Sequence, residues 1–385
     1  MCTSLSFLDA LNCTYVGRTL EFAGDMPWNV SYFPKDLNFT SAITATKNGI
    51  SYKTSKAFIS ITLNTSPQGT PGNPQNLKVI HGLNEAGLNF GANAFGLTDG
   101  PVIEQDKIPS ALAFIDIGSW ALGQFSTVAE LQTALKQQII YCTPLAAMNS
   151  NTTPLHCIFY DVTGASLVLE FVDKQMKIYQ NPWGVMTNAP EFSWHLTNLN
   201  NYTNLSNIDT QTQTFNTTTA GGTQQLSQPD SGIATSVIPG ANNSPGRFIK
   251  AFYYSQFAAK NTASDITQTQ LPTTASAPTA PSPKPDQSVY MLSHIMNNFD
   301  RPIDITYDPP SSSASPEGKG PSEFTVWTAL SDLSRRKFFV RNFTELNYQH
   351  FDLYDLSEVT TFKTIPYMKM YQGLGDSNSQ ALINA

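Results

Sequence analysis

The sequence predicts an α+β chain in which antiparallel sheets are covered by helices. Three observations carry this reading. Alternating, strand-like runs joined by short turns open and close the chain. Helical spacings are grouped between them instead of alternating strand by strand. Three further strand-like runs between Leu155 and Tyr179 are joined by turns too short for a crossover, which makes them an antiparallel meander.

The elements follow in order. Cys2 to Phe7 alternates polar and apolar residues, with Leu5 and Phe7 on one face. Asp9 to Asn12 is a turn cluster, and Thr14 to Phe22 is the returning strand. Ser51 to Leu63 reads as a strand region, and Ser66 to Gln75 as a Pro- and Gly-rich loop. Lys78 to Ile80 and Leu88 to Phe95 flank the turn Asn84-Glu85-Ala86-Gly87. Pro109 suits the first turn of a helix running to about Phe125. Thr127 with Glu130 fits a capping box, and Val128, Leu131, Leu135 and Ile139 follow at helical spacing. The meander (Leu155 to Asp161, Ser166 to Val172, Met176 to Tyr179) leads to a fourth strand ending at Thr187-Asn188 and a short helix from Phe192 to Leu199. Residues 204–243 form a polar Thr/Gln-rich excursion with room for a small hairpin. Pro245 opens a helix through Arg247, Phe248, Ile249 and Phe252. Residues 261–287 are a low-complexity insertion, followed by a helix from Val289 to Phe299 and a Pro/Ser loop at 308–320. Strands at Phe324 to Ala329, Lys337 to Asn342 and Tyr348 to Leu353 finish the pattern. No composition break separates two cores, so residues 1–385 read as one domain carrying the 204–243 excursion and the 261–287 insertion.

Composition excludes several function classes. With 40% hydrophobic residues the chain is globular. Its net charge of −7, and the absence of any Lys/Arg block, argue against a nucleic-acid partner. The most apolar stretch, Ile108 to Phe125, is interrupted by Asp116 and Gly118 and reads as a buried helix, so no membrane span is expected. No basic-then-apolar leader opens the sequence. The expectation is cytoplasmic as written, or periplasmic or secreted if a leader has been removed. Cys2, Cys13, Cys142 and Cys157 form no C-x-x-C pair, and all but Cys2 read as small buried hydrophobes.

Common hydrolase signatures (G-x-S-x-G, H-E-x-x-H, a Walker loop) are missing. Each of the five histidines, taken alone, reads as a structural or surface residue. His156 and Cys157 are neighbours on a strand and point to opposite faces, so they form no dyad. Cys2 differs by position. Removal of Met1 places a thiol and an α-amine on one residue, and these groups ordinarily titrate at about 8.5 and about 7.7–8.0. The amine can then act as base for its own side chain, and no histidine is needed. Arg18 and Glu21, on the returning strand, are candidates to stabilise the thiolate and to hold the amine. Strict alternation sets those two on opposite faces, so this reading needs a bulge or strand end, for which Gly17 is a candidate.

The opening Met-Cys-Thr-Ser-Leu-Ser-Phe with Tyr15-Val16-Gly17-Arg18-Thr19-Leu20-Glu21-Phe22 resembles the choloylglycine hydrolase family of N-terminal-nucleophile hydrolases, which includes bile salt hydrolases and penicillin V acylases. Further similar segments follow in order to about residue 342. They are His81-Gly82-Leu83-Asn84-Glu85-Ala86-Gly87-Leu88 with Gly91-Ala92-Asn93, Gly184-Val185-Met186-Thr187-Asn188-Ala189-Pro190 with Phe192-Ser193-Trp194-His195, Ile238-Pro239-Gly240, Ser244-Pro245-Gly246-Arg247-Phe248 and His294-Ile295-Met296-Asn297-Asn298. The resemblance implies a four-layer αββα sandwich. It implies Cys2 as nucleophile with Arg18 beside it, Asn93 as an oxyanion-hole donor with Asn89 as the fallback, Asn188 positioning the reacting groups, and Arg247 as a second active-site arginine. Glu21 stands where the family usually has Asp.

The activity so implied is hydrolysis of linear, non-peptide amides, releasing an acyl group from a small amine. Conjugated bile salts, penicillin V and N-acyl homoserine lactones are the substrate types. No metal or organic cofactor is required. The partners implied are the small-molecule substrate and copies of the chain itself, as a tetramer or dimer through the 204–243 excursion. Phe22, Trp28, Phe95 and Trp183 are candidates either for an acyl pocket or for core. The alternatives are a catalytically silent member acting in binding or assembly, favoured only by Glu21, and a redox thiol at Cys2.

Overall fold

The computed structural model describes all residues except 25, 45, 65–72, 146–149, 151, 259–283, 308–318 and 371–385. Two large antiparallel sheets dominate it. The strands contributing to them are β1 (Cys2–Leu8), β2 (Thr14–Phe22), β3 (Trp28–Phe33), β4 (Phe58–Asn64), β5 (Leu77–Asn84), β6 (Asn89–Ala94), β7 (Leu155–Tyr160), β8 (Ser166–Val172), β9 (Gln175–Gln180), β10 (Val185–Met186), β11 (Phe324–Asp332), β12 (Lys337–Asn342), β13 (Gln349–Asp352) and β14 (Lys363–Pro366). One sheet has the order β10-β1-β2-β11-β12-β13, the other β9-β8-β7-β6-β5-β4-β3-β14.

The sheets lie face to face. Trp28 of one meets Trp327 of the other edge-on, with ring centroids 6.0 Å apart. Ser4 and Asn89 reach across as donors to Asn93 (3.3 Å) and Ser331 (3.0 Å). Helices α1 (Ile117–Gln124) and α2 (Val128–Leu135) cover the eight-stranded sheet, burying Trp120, Leu122, Leu131 and Leu135 against Phe90, Phe159 and Phe171. Helix α3 (Phe192–Leu199) follows β10. Helices α4 (Ser244–Phe257) and α5 (Lys284–Asn297) cover the six-stranded sheet with Phe248, Ile249, Leu292 and Met296. The layers are therefore αββα, as expected.

Local chemistry explains most elements. Thr127 Oγ1 accepts from Glu130 N, which forms the cap half of the box, while Glu130 Oε2 reaches one residue past the cap and accepts from Ser126 N. Asn243 Oδ1 caps α4 by accepting from Gly246 N, with Pro245 in the first turn. A hairpin at 212–227 lies within the polar excursion.

Several boundaries differ from expectation. Pro109 starts no long helix: 105–110 and 114–116 are 3₁₀ turns around a short strand at 111–113, and α1 begins only at Ile117. Ile139 belongs to a strand beyond α2. The 51–63 region is two strands, ending at Lys53 and restarting at Phe58. Helix α5 starts at Lys284, inside the stretch read as insertion, most of which lies outside the described residues. Gly17 marks no bulge. A Cβ there would lie 2.5 Å from Met296 Sδ, so glycine lets α5 close on β2. The irregularity is on β11, between Thr325 and Trp327, opposite the end of β2. Of the three cysteines read as buried, Cys157 is, whereas Cys13 and Cys142 are partly exposed.

Candidate active site

Cys2 is the first residue of β1 and is buried. Alternation along β1 sends Thr3 to the α4 side, where it meets Arg247, and leaves Cys2 and Ser4 on the side facing the second sheet. Arg18 lies on β2, in register with Ser4. Its Nη2 is 3.8 Å from Cys2 Sγ.

Arg18 is fully buried, an environment that disfavours a guanidinium unless its donors are met. They are met here. Nη1 donates to Ile80 O at 2.7 Å, Nη2 to Ala92 O, and Nε to Asn93 Oδ1 at 3.1 Å. The Trp327 ring lies 4.9 Å from its Cζ. Burial pushes the Arg18 pKa down, and the neighbouring Cys2 opposes that shift. Buried His81 is likewise pushed well below its ordinary range by desolvation and then by Arg18, so it is neutral.

Asn188 follows β10 and is the hub of the site. Its Oδ1 accepts from Cys2 N at 2.8 Å and from Arg247 Nη2 at 2.7 Å, and its Nδ2 donates to Ala94 O at 2.8 Å. The path to Asn188 is set by the turn before it. Gly184 has φ +65°, and a Cβ there would lie 1.9 Å from Ser6 Oγ. Gly184 O then accepts from Ser6 N at 2.9 Å, which pins the turn to β1.

Arg247 closes the first turn of α4, where burial and the helix dipole both oppose a cation. Four acceptors offset this: Cys2 O, Thr3 Oγ1 (2.8 Å), Asn188 Oδ1 and Asn242 O (2.9 Å). Arg247 thus ties α4 to the backbone of Cys2 and to the asparagine that binds the Cys2 nitrogen.

Met1 extends β1 by one pair. Its ammonium donates to Glu21 O at 2.7 Å and to Glu323 Oε1 at 3.3 Å, and its carbonyl accepts from Glu21 N at 2.8 Å. With Met1 attached, the Cys2 nitrogen is an amide and is no base. The Glu21 side chain is buried at the end of β2, where Oε1 accepts from Thr325 Oγ1 at 3.4 Å. Burial raises its carboxyl above the ordinary range, while Arg247 and the N-terminal ammonium pull the other way.

Asn93 sits beside Arg18, but its amide is engaged at both ends. Oδ1 accepts from Arg18 and Ser4, and Nδ2 donates to Thr187 O at 2.8 Å and to Met186 O at 3.4 Å. This geometry braces Arg18 and presents no free donor for an oxyanion. Asn89, four residues back on β6, is about 13 Å away along the strand and donates to Ser331. It does not join the site.

Beside Cys2 lies a cavity of about 50 Å³ with an apolar lining that includes Leu20, Phe22, Met26, Trp28 and Ile80. Phe22 and Trp28 therefore fall on the pocket. Phe95 is core, stacked on His156, and Trp183 is part-exposed against Phe252. Sequence reasoning missed the supports behind Asn188: His156, Glu170, His195 and Ser244. The only signal was that two of them, His195 and Ser244, fall in the family-like segments.

Among the described residues no cluster of His, Cys, Asp or Glu could hold a metal ion, and no helix is long and apolar enough to cross a membrane. Residues 2–277 match the family of linear amide C–N hydrolases, choloylglycine hydrolase family. The conjugated bile acid hydrolase of Lactobacillus gasseri is 32% identical over 257 residues, covering 66% of this chain and 74% of that protein. The penicillin V acylase of Pectobacterium atrosepticum is 26% identical, covering 66% and 59%. In fold, the conjugated bile acid hydrolase of Clostridium perfringens superposes with a TM-score of 0.71 at 21% identity, covering 95% of this chain and 97% of that one. The chain belongs to the choloylglycine hydrolase family and is a hydrolase of linear amides.

Proposed function

We propose that Cys2, freed at the N-terminus by loss of Met1, is the nucleophile of this amide hydrolase, and that the acyl group it takes is apolar. The observation that carries the reading is the setting of Cys2. Its nitrogen is held by Asn188, its carbonyl by Arg247, its sulfur lies beside Arg18, and an apolar cavity adjoins it.

The chemistry needs no cofactor. The α-amine takes the thiol proton as sulfur attacks the amide carbonyl. Collapse of the tetrahedral intermediate breaks the C–N bond, and the same proton leaves with the amine product. Water then attacks the thioester with the α-amine again as base, and the acid departs as the thiol is restored. In this scheme Arg18 stabilises the thiolate, Asn93 braces Arg18, Asn188 orients the amine and Arg247 holds the Cys2 backbone. Glu21 keeps a negative charge near that amine. It stands in for the usual Asp at the end of β2, opposite Thr325, where the β11 register shifts.

The active form is a homo-oligomer, a tetramer or dimer. The hairpin at 212–227 supports this by holding Phe215 and Leu226 more than half exposed. A monomeric mass by light scattering counts against it.

The test is amine release from glycine- and taurine-conjugated bile acids, penicillin V and N-acyl homoserine lactones by wild type and Cys2→Ala. Turnover that vanishes in Cys2→Ala supports the reading and names the acyl preference. Turnover that survives in Cys2→Ala overturns it.

A further inference from the structure

We propose that His156 and Glu170 are positioning residues for this reaction: a buried hydrogen-bonded pair that clamps the Thr187–Asn188 peptide and so holds the Asn188 carboxamide against the Cys2 nitrogen. The proposal rests on the reading of Cys2 as nucleophile.

The clamp is visible bond by bond. His156 is on β7 and Glu170 on β8, both essentially without exposure. His156 Nε2–H donates to Thr187 O at 3.0 Å. A carbonyl can only accept, so this nitrogen carries a proton. His156 Nδ1 is 2.8 Å from Glu170 Oε1. Both Glu170 oxygens also accept from Phe192 N, at 3.1 Å each, at the start of α3. Nδ1 and Oε1 therefore share one proton, and the pair has a hydrogen-bond partner on each side. The ring stacks on Phe95 with centroids 4.7 Å apart and planes 7° from parallel, which fixes its direction.

Thr187 O receives a second donor, Asn93 Nδ2. One residue on, Asn188 N donates to Ser244 Oγ at 3.0 Å and Asn188 O accepts from His195 Nε2 at 2.9 Å. Every backbone polar atom from Thr187 O to Asn188 O is therefore held. The sheet does not provide this. Strand β10 pairs with β1 only at Val185 and Met186 and stops before Thr187. Beyond the ladder, side chains do the holding, and His156 is the one among them that is backed by a buried carboxyl group. The direction of the Asn188 carboxamide follows from its backbone, and that carboxamide binds the nitrogen that must act as base.

The experiment compares wild type, Glu170→Gln, His156→Phe, Asn188→Ala and the double variant Glu170→Gln/Asn188→Ala. Glu170→Gln keeps size and an acceptor for Phe192 N. His156→Phe refills the ring volume against Phe95, so that one variant remains if the other fails to fold. Steady-state amine release is measured with melting temperature, and the rate of Cys2 alkylation by iodoacetamide is followed by mass spectrometry of the N-terminal peptide. The expected result is a fall in kcat of tenfold or more with KM within twofold, slower Cys2 alkylation by fivefold or more, and no further slowing by Glu170→Gln once Asn188 is Ala. A pair that only stabilises the fold lowers the melting temperature and leaves kcat and alkylation within twofold. That result, or full additivity with Asn188→Ala, overturns the proposal. Alkylation needs no substrate, so the clamp is tested apart from the reaction, whereas turnover that survives Cys2→Ala sinks the nucleophile reading itself.

Discussion

Asn188→Ala is the perturbation whose size the structure lets one work out. The carboxamide makes three buried contacts: Oδ1 with Cys2 N (2.8 Å) and with Arg247 Nη2 (2.7 Å), and Nδ2 with Ala94 O (2.8 Å). Truncation leaves three buried polar groups without that partner, at about 1–3 kcal/mol each. The vacated space is bounded by three polar groups that a water can bridge, so the low end of the range is taken, about 3 kcal/mol in total. At about 2 °C per kcal/mol for a large domain, Tm falls by about 6 °C. The catalytic loss is larger in consequence. Without Asn188 the Cys2 amine is no longer directed at its own thiol, and a general base contributes about 10²–10⁴-fold. Amine release under saturation should therefore show kcat down by about that factor with KM little changed. A kcat within threefold of wild type, with Met1 absent and the fold intact, refutes the reasoning from geometry to role.

Two other outcomes follow from the same contacts. Arg247→Lys replaces a fork engaged with Cys2 O, Thr3 and Asn188 by a single ammonium, and should cost at least about tenfold in kcat; steady-state kinetics showing an unchanged kcat speak against the tether. Glu21→Gln tests the buried carboxylate. Burial raises the folded-state pKa of Glu21, so above the ordinary value of 4.5 the folded chain holds a proton longer than the unfolded one, and stability falls as pH rises through that window. Protein bearing Met1 should thus melt higher as Glu21→Gln at pH 7, with the difference closing below about pH 4.5. An equal or lower Tm at pH 7 contradicts the sign.

Much of this was legible in the sequence because its signals are local. The hairpin from Cys2 to Phe22, the Thr127 cap, the helix start at Pro245 and the 155–179 meander each rest on residues within a few positions of one another. Strand β3 went unread although Trp28, Val30 and Tyr32 alternate with Asn29 and Ser31. The Pro109 helix failed because proline is compatible with a 3₁₀ turn as well as with an α-helical start. Arg18, Asn188 and Arg247 converge on Cys2 from β2, the end of β10 and α4, and this convergence is a property of the sandwich. So is the engagement of Asn93 with Thr187, which spacing along β6 does not reveal. The His156–Glu170 pair lay hidden for the same reason. Its partners are 14 and 31 residues from His156, joined only when β7, β8 and the segment after β10 come together.

Cys2 as the acyl-carrying nucleophile is best tested by the intact mass of the enzyme quenched during turnover of its best substrate, followed by mapping of the adduct. The expected species is protein lacking Met1 and carrying one acyl group, held as a thioester on Cys2. An acyl group on another residue, or full turnover by protein that still carries Met1, contradicts the assignment.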